Sequence, residues 1–328
     1  MQKPLFDLQF PHAFPELDIH AIFRQQPSDF FVDEQLGFVL SGEGEHLCLH
    51  IEKTEQNTVF VAKQLAEWAG IKLMDVGYCG LKDRRAITRQ WFSLYIGKRV
   101  LDASQLQLEG CTVLATNMHH CKLRRGIHAG NAFVIRLRDV QGDVDALEQR
   151  WQQVVAQGVP NYFGEQRFGR GGSNLQQAEA LLPVHAKQWR ERKHQFAVSA
   201  LRSWLFNRVL ADRVQAGDWR QCVEGDPEVV ASAPLWGRGR AKSQGELAVR
   251  EQNLLAPYAA FCEKLEHVGL QQERRALLLP VAEAHFQREQ NDVVLCFTLP
   301  VGTYATAVLR ECLQLQNVQT ASNETAVI

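Results

Sequence analysis

A mixed α/β fold in about two domains is the architecture that the 328 residues predict. Three observations carry it. Apolar residues alternate with period two in several short runs, the clearest being 47–52, 91–96, 133–138 and 293–297. Others recur at helical spacing, as in Val61, Leu65 and Trp68 or Leu147, Trp151 and Val155. From about residue 175 the character changes to long helix and loop, and strand returns only near residue 293.

Residues 1 to 20, rich in Pro, Phe and His, read as an irregular arm. Ala21 to Glu34 reads as two short strands broken by the turn composition Pro27-Ser28-Asp29. Asn57 is placed to cap a helix over 58–69 that Gly70 ends. Residues 100–120 form a weaker strand-and-turn region, and a helix over 144–157 stops at Gly158 and Pro160. A broad apolar stripe predicts a helix over 194–214, loops fill 217–245, and a second helical stretch spans 256–265. A short helix follows through Arg310, and the polar last twelve or so residues are expected to fray.

A hydrophobic fraction of 45% with 22% charged residues is that of an ordinary globular protein, not a disordered or membrane-embedded one. The net charge of -1 excludes global basicity as a sign of a nucleic-acid partner, so local clusters must supply it. Neither a signal-like amino end nor a membrane-length apolar run is present, and the expected location is the cytoplasm. The eight cysteines contain no C-x-x-C pair and read as reduced thiols. His119-His120-Cys121 is not expected to bind metal, because neighbours on a strand point to opposite faces.

The stretch from Gly77 to Gln90 concentrates the candidate chemistry. Asp83 is its one carboxylate, among Lys82, Arg84, Arg85, Arg89 and, further on, Lys98. From residue types alone, Asp83 is either a turn cap or an anion in a phosphate-binding setting, where nearby positive charge favours its charged form. A second basic run, 122–138, holds five cations and no acidic residue, and reads as a solvated face or as a track for a phosphate backbone. The block from Pro160 to Asn174 carries four glycines and no P-loop lysine. It reads as a structural turn or as an RNA-facing hinge between domains. Trp236 to Lys242 reads as an exposed loop.

These segments together resemble the tRNA pseudouridine synthase D family. Gly80, Lys82, Asp83, Arg84, Ala86, Thr88 and Gln90 match its central motif; Pro27, Asp29, Phe30, Val32 and Glu34 match an earlier one. Lys122 to Arg138 matches a third almost throughout, Pro160 to Asn174 a fourth, and Leu299 to Glu311 a fifth. The family's basic residue before the early motif falls on Arg24, a planar fork in place of a lysine point charge.

The resemblance implies a pseudouridine-synthase catalytic domain with a mixed, largely antiparallel sheet over 1–158 and 283–328. A smaller domain is inserted over 159–282. It implies conversion of uridine 13 of tRNA to pseudouridine, with Asp83 carrying the chemistry and Arg24 pairing with it. Phe30 and Tyr304 would pack against the nucleotide, Asn131 would hydrogen-bond the nucleoside and Phe133 would stack on the base. No cofactor, metal or obligate protein partner is implied, and a monomer suffices. An RNA-binding protein on a synthase scaffold and a small-molecule hydrolase with an Asp nucleophile are the competing classes.

Overall fold

The computed structural model describes residues 5–227 and 229–317; the carboxyl end expected to fray lies largely outside these residues. The described chain divides into two compact units. Of the described residues, one unit comprises 17–155, 281–302 and those from 313 on; the other comprises those up to 16, 156–280 and 303–312. The expected boundaries at 158/159 and 282/283 differ in detail. The amino-terminal arm and residues 303–312, assigned by sequence to the catalytic domain, group with 156–280.

The first unit is built on a ten-stranded mixed sheet. Its early strands are β1 (His20–Phe23), β2 (Phe30–Gln35), β3 (His46–Thr54), β4 (Val76–Tyr78), β5 (Ile87–Tyr95), β6 (Cys111–His119) and β7 (Gly130–Gln141). Helix α1 (Thr58–Ala69) follows β3 and α2 (Val144–Gln157) follows β7. The second unit contains β8 (Val159–Pro160), α3 (Ser173–Ala180), α4 (Gln195–Ala216), β9 (Ser232–Leu235), α5 (Gly245–Leu255), α6 (Ala259–Glu266), β10 (Glu273–Ala276) and β11 (Leu278–Leu279). The chain returns to the large sheet as β12 (Ala282–Glu289) and β13 (Asp292–Pro300). Helix α7 (Ala305–Leu309) belongs to the second unit, and β14 (Gln314–Asn317) closes the first.

The sheet order is β12-β13-β7-β2-β5-β3-β6. Strand β1 pairs with β7 and β14, and β4 pairs with β5. Among the described residues of this sheet, only the β2–β5 and β1–β14 pairings are parallel. Strand β7 is the spine, bonded to β13 along one edge and to β2 and then β1 along the other. Gly130 lets β7 start against β13, since any side chain there would run into the Leu299 carbonyl.

Register fixes which side chains share a face. Phe30, Val32 and Glu34 of β2 stand opposite Ile135, Phe133 and Asn131 of β7. On the same face lie Ile51 and Lys53 of β3, Thr88, Gln90 and Phe92 of β5, and Phe297 of β13. Helix α1 covers one part of this face with Val61 and Leu65, both fully buried with Leu49, Ile51 and Phe92. Each such side chain contributes about 1.5–3 kcal/mol on burial. Asn57 accepts the Val59 N–H at 2.8 Å and Gly70 ends the helix in the left-handed region, as the sequence predicts. Trp151 of α2 packs edge-on against Phe297, ring centres 5.5 Å apart.

Three elements depart from expectation. The strand expected from Trp91 begins at Ile87 because parallel pairing with β2 recruits residues 87–89. The expected loops over 217–245 contain strand β9, and helix begins at Gly245 in α5 rather than at 256, with Leu247 and Leu255 facing the core. The 160–174 block, expected as a turn or hinge, begins in the core at 160–163 and is exposed only at 165, 166, 170 and 171. Tyr162 and Phe168 are buried, and Asn207 brackets the Phe163 backbone by accepting its N–H and donating to its carbonyl.

Candidate active site

Asp83 sits in the loop between β4 and β5, over the face that bears Glu34, Lys53, Thr88 and Gln90. Its carboxylate Oδ2 accepts a 2.8 Å bond from the Arg24 guanidinium, and the two side chains are 33% and 20% exposed. The pair is therefore reachable from solvent without being surrounded by it. Arg24 has φ of 57°, a left-handed conformation that costs an ordinary residue on the order of 1–3 kcal/mol. The following turn holds it there. Buried Asp29 accepts the Gln26 N–H at 2.8 Å and takes Arg138 Nε on both carboxylate oxygens at 2.9 Å. The Arg24 guanidinium lies 3.8 Å from the centre of the Phe30 ring, a cation–π contact that fixes its plane.

Beneath the loop lies a set of polar groups. Lys82 donates its ammonium to Glu34 Oε2 at 2.6 Å, with both side chains nearly inaccessible. The other Glu34 oxygen accepts the Trp91 N–H, a donor just past the last β2–β5 pair. The Lys82 N–H is accepted by Thr58 Oγ1, Thr58 donates to Gln90 Oε1, and Gln90 Nε2 donates to the Gly80 carbonyl. Lys53, fully buried at the end of β3, donates to the carbonyls of Gln56 at 2.7 Å and of Asp83 at 3.1 Å. The backbone around Asp83 is thus pinned at Gly80, Lys82 and Asp83. Pinning of this kind holds a reactive group within the tolerance that efficient chemistry demands.

Glu34, Cys79 and His128 each bring one possible metal-ligand atom within 4.8 Å of the others. The cation that Glu34 holds is Lys82, and burial followed by the Glu34 charge pushes the Cys79 thiol up to about 12. Burial, then Lys82, lowers His128 below its usual range and favours neutral imidazole. The donor set fits a lysine-filled polar pocket better than a metal centre. His119, His120 and Cys121 form no such group among the described residues.

The remaining sequence-predicted residues are distributed as follows. Asn131 stands across the strand pair from Glu34, and its Oδ1 is buried without a hydrogen-bond partner among the described residues. A buried acceptor left open costs about 1–3 kcal/mol and calls for an explanation, such as an incoming donor. Phe133 is 7% exposed, stacked on Phe297 at 5.4 Å and 6.0 Å from Phe30, itself 2% exposed beneath Arg24. Tyr304 belongs to the second unit, where it precedes α7 and packs edge-on against Phe163 at 5.9 Å. Arg275 lies over the same Phe163 ring at 4.2 Å, and Arg167 donates to the Ser199 and Ser203 hydroxyls.

The model of the tRNA pseudouridine synthase D (TruD) family matches residues 13–182 and 227–312, which include Arg24, Glu34, Lys53, Asp83, Asn131, Phe133 and Tyr304. The chain belongs to the TruD family. It is 49% identical over 322 residues to a tRNA pseudouridine synthase D from Cellvibrio japonicus, covering 96% of this chain and 95% of that one. Identity to the protein of the same name from Methylococcus capsulatus is 44%, covering 95% and 96%. In fold the chain is similar to the crystal structure of a putative TruD protein from Methanosarcina mazei. The TM-score is 0.68 at 22% identity, over 92% of this chain and 95% of that one.

Sequence reasoning on the TruD motifs missed Lys53 and gave Glu34, Thr58 and Gln90 no role. A signal was available. Lys53 continues the inward parity of Leu47, Leu49 and Ile51; Glu34 continues that of Phe30 and Val32; Gln90 shares that of Phe92 and Leu94. A polar residue in an inward register marks a buried hydrogen-bonded network.

Proposed function

We propose that this protein isomerises uridine to pseudouridine in tRNA, at position 13, with Asp83 acting at the ribose of an extruded nucleotide. The observation that carries the reading is the Arg24–Asp83 pair in a chain of this family. It is a half-open carboxylate, held by one guanidinium and backed by a rigid loop. The reaction breaks the N1–C1′ bond, turns the uracil, and joins C5 to C1′. The C5 proton is lost and N1 gains one, so no atom or electron is exchanged overall. Attack of the carboxylate on C1′ and removal of the C2′ proton are the two routes, and both need an anion beside the sugar.

The open Asn131 Oδ1 suits the N3–H of a uracil ring, and a satisfied Asn131 would hold the detached base for recapture. Phe133 stacks on that base and Phe30 packs against the nucleotide. Their low exposure requires the Arg24 guanidinium to lift from the Phe30 ring as the base enters. Tyr304 is a further aromatic residue for the nucleotide, and the exposed cations Arg84, Arg124 and Arg125 meet phosphates. The 17–155 unit with its carboxyl-terminal strands is the catalytic domain, and the 156–280 unit the family-specific one.

The test is incubation of the purified protein with an unmodified tRNA transcript and no added cofactor, followed by mapping of pseudouridine. Formation at position 13 is expected. Tight binding without any pseudouridine would instead identify an RNA-binding protein.

A further inference from the structure

We propose that Lys53 is a positioning residue for the reaction. Its ammonium, sealed beneath the Asp83 loop and bonded to the Asp83 main-chain carbonyl, sets where the carboxylate stands and adds positive charge behind it. This rests on the reading of Asp83 as the reacting group.

Lys53 is unlike the other cations near the site. Lys82 has the Glu34 carboxylate and Arg24 has that of Asp83; the Lys53 ammonium donates to two neutral carbonyls. A fully buried ammonium bonded to neutral groups is expensive, since desolvation is offset only by dipoles. A methionine of similar length would fill the same space without that cost. The charge has two geometric consequences. It ties the 55–57 turn to the Asp83 loop, which also share the Glu55 N–H to Ala86 carbonyl bond and the Arg84 Nε to Glu55 carbonyl bond. It also sets a cation on the main-chain side of Asp83, while Arg24 holds the carboxylate.

The ammonium is poised to titrate. Burial lowers Lys53 to about 8, with Asp83 on the loop and Cys111 on β6 raising it and Lys82 lowering it. The folded value lies below the ordinary lysine value of 10.5, so between the two the unfolded chain binds the extra proton. Stability from this group therefore rises with pH through that window, while turnover falls as the ammonium is lost. A group acting only as structural support would move the two together.

Single-turnover rates on a tRNA transcript between pH 7 and 9.5, with thermal midpoints over the same range, test this for the wild type, Lys53→Met and Lys53→Arg. The wild-type rate should fall as pH rises through about 8 with no matching drop in midpoint. Lys53→Met should lose roughly 100-fold in rate at pH 7, keep tRNA affinity and lose the alkaline fall. Lys53→Arg, charged throughout, should recover part of the rate and show no fall near pH 8. Should Lys53→Met fail to fold, the wild-type and Lys53→Arg profiles decide. A flat wild-type profile, or the same alkaline fall in Lys53→Arg, overturns the proposal. Asp83→Asn separates the two claims. If it turns over normally, the reading of Asp83 fails; if it is inactive while Lys53→Met keeps wild-type rate, only the role of Lys53 fails.

Discussion

The two faces of the large sheet are made by the same strands, yet they treat charge differently. On one, Glu34, Lys53, Thr88 and Gln90 are almost wholly buried beside Phe92, Ile135 and Phe297, and Glu34, Lys53 and Gln90 each bond the Asp83 loop. On the other, charged groups are half exposed and pair with one another. Arg89 bonds Glu52 at 2.8 Å and lies over Phe31, Arg136 bonds Glu289 and Asp292, and His50 stacks on Trp91. Ion pairs in water are weak and adjustable, whereas buried ones are costly to break and fix geometry. The difference teaches where a lone anion can be held for chemistry: over the face where the polar groups have no water to turn to.

The largest effect belongs to the loop itself. Asp83→Asn should lower pseudouridine formation about 10⁴-fold or more, the scale for loss of a reacting group, with tRNA affinity preserved in a filter-binding assay. Turnover within tenfold of wild type would remove Asp83 from the chemistry. Next comes the contrast between the two buried and half-exposed pairs. Glu34→Ala leaves the Lys82 ammonium enclosed and should cost about 3–5 kcal/mol in urea unfolding. Glu52→Ala, on the opposite face, should cost less than about 1 kcal/mol. Equal losses would erase the distinction between the faces. Thr58→Val strands both the Lys82 N–H and Gln90 and should cost about 1–3 kcal/mol, with a fall in kcat larger than any change in KM. The smallest effect is electrostatic. Arg84→Ala, in the Asp83 loop, should reduce the slope of log affinity against log salt by about one. Arg89→Ala should leave it unchanged, and a matching drop there would bring RNA to the open face.

Much of this was legible in the chain. The α1 cap at Asn57 and its stop at Gly70 follow from local chemistry, as does the extent of α2. The density of motif residues around Asp83, with Arg24 as the cation, directs attention to the pair found at 2.8 Å. Less legible were features that only tertiary closure creates. Nothing local says that Phe30 is roofed by Arg24, or that Arg24 adopts a left-handed backbone, because both depend on the Asp29–Arg138 bond across 109 residues of sequence. The grouping of 1–16 and 303–312 with 156–280 was equally hidden, since neither segment carries a composition that marks its neighbours.

The position of β7 has a consequence for synthesis. This strand carries Asn131 and Phe133, yet its whole β13 edge is supplied by residues 292–300, and β1 finds its second neighbour only at 314–317. A ribosome must therefore pass residue 300 before the spine strand has both flanks. A nascent chain released before about residue 292 would present the bare edge of β7 to solvent, a ready template for mispairing. The surface that carries Asn131 and Phe133 is thus completed only once β13, more than 150 residues further along the chain, has emerged and folded back.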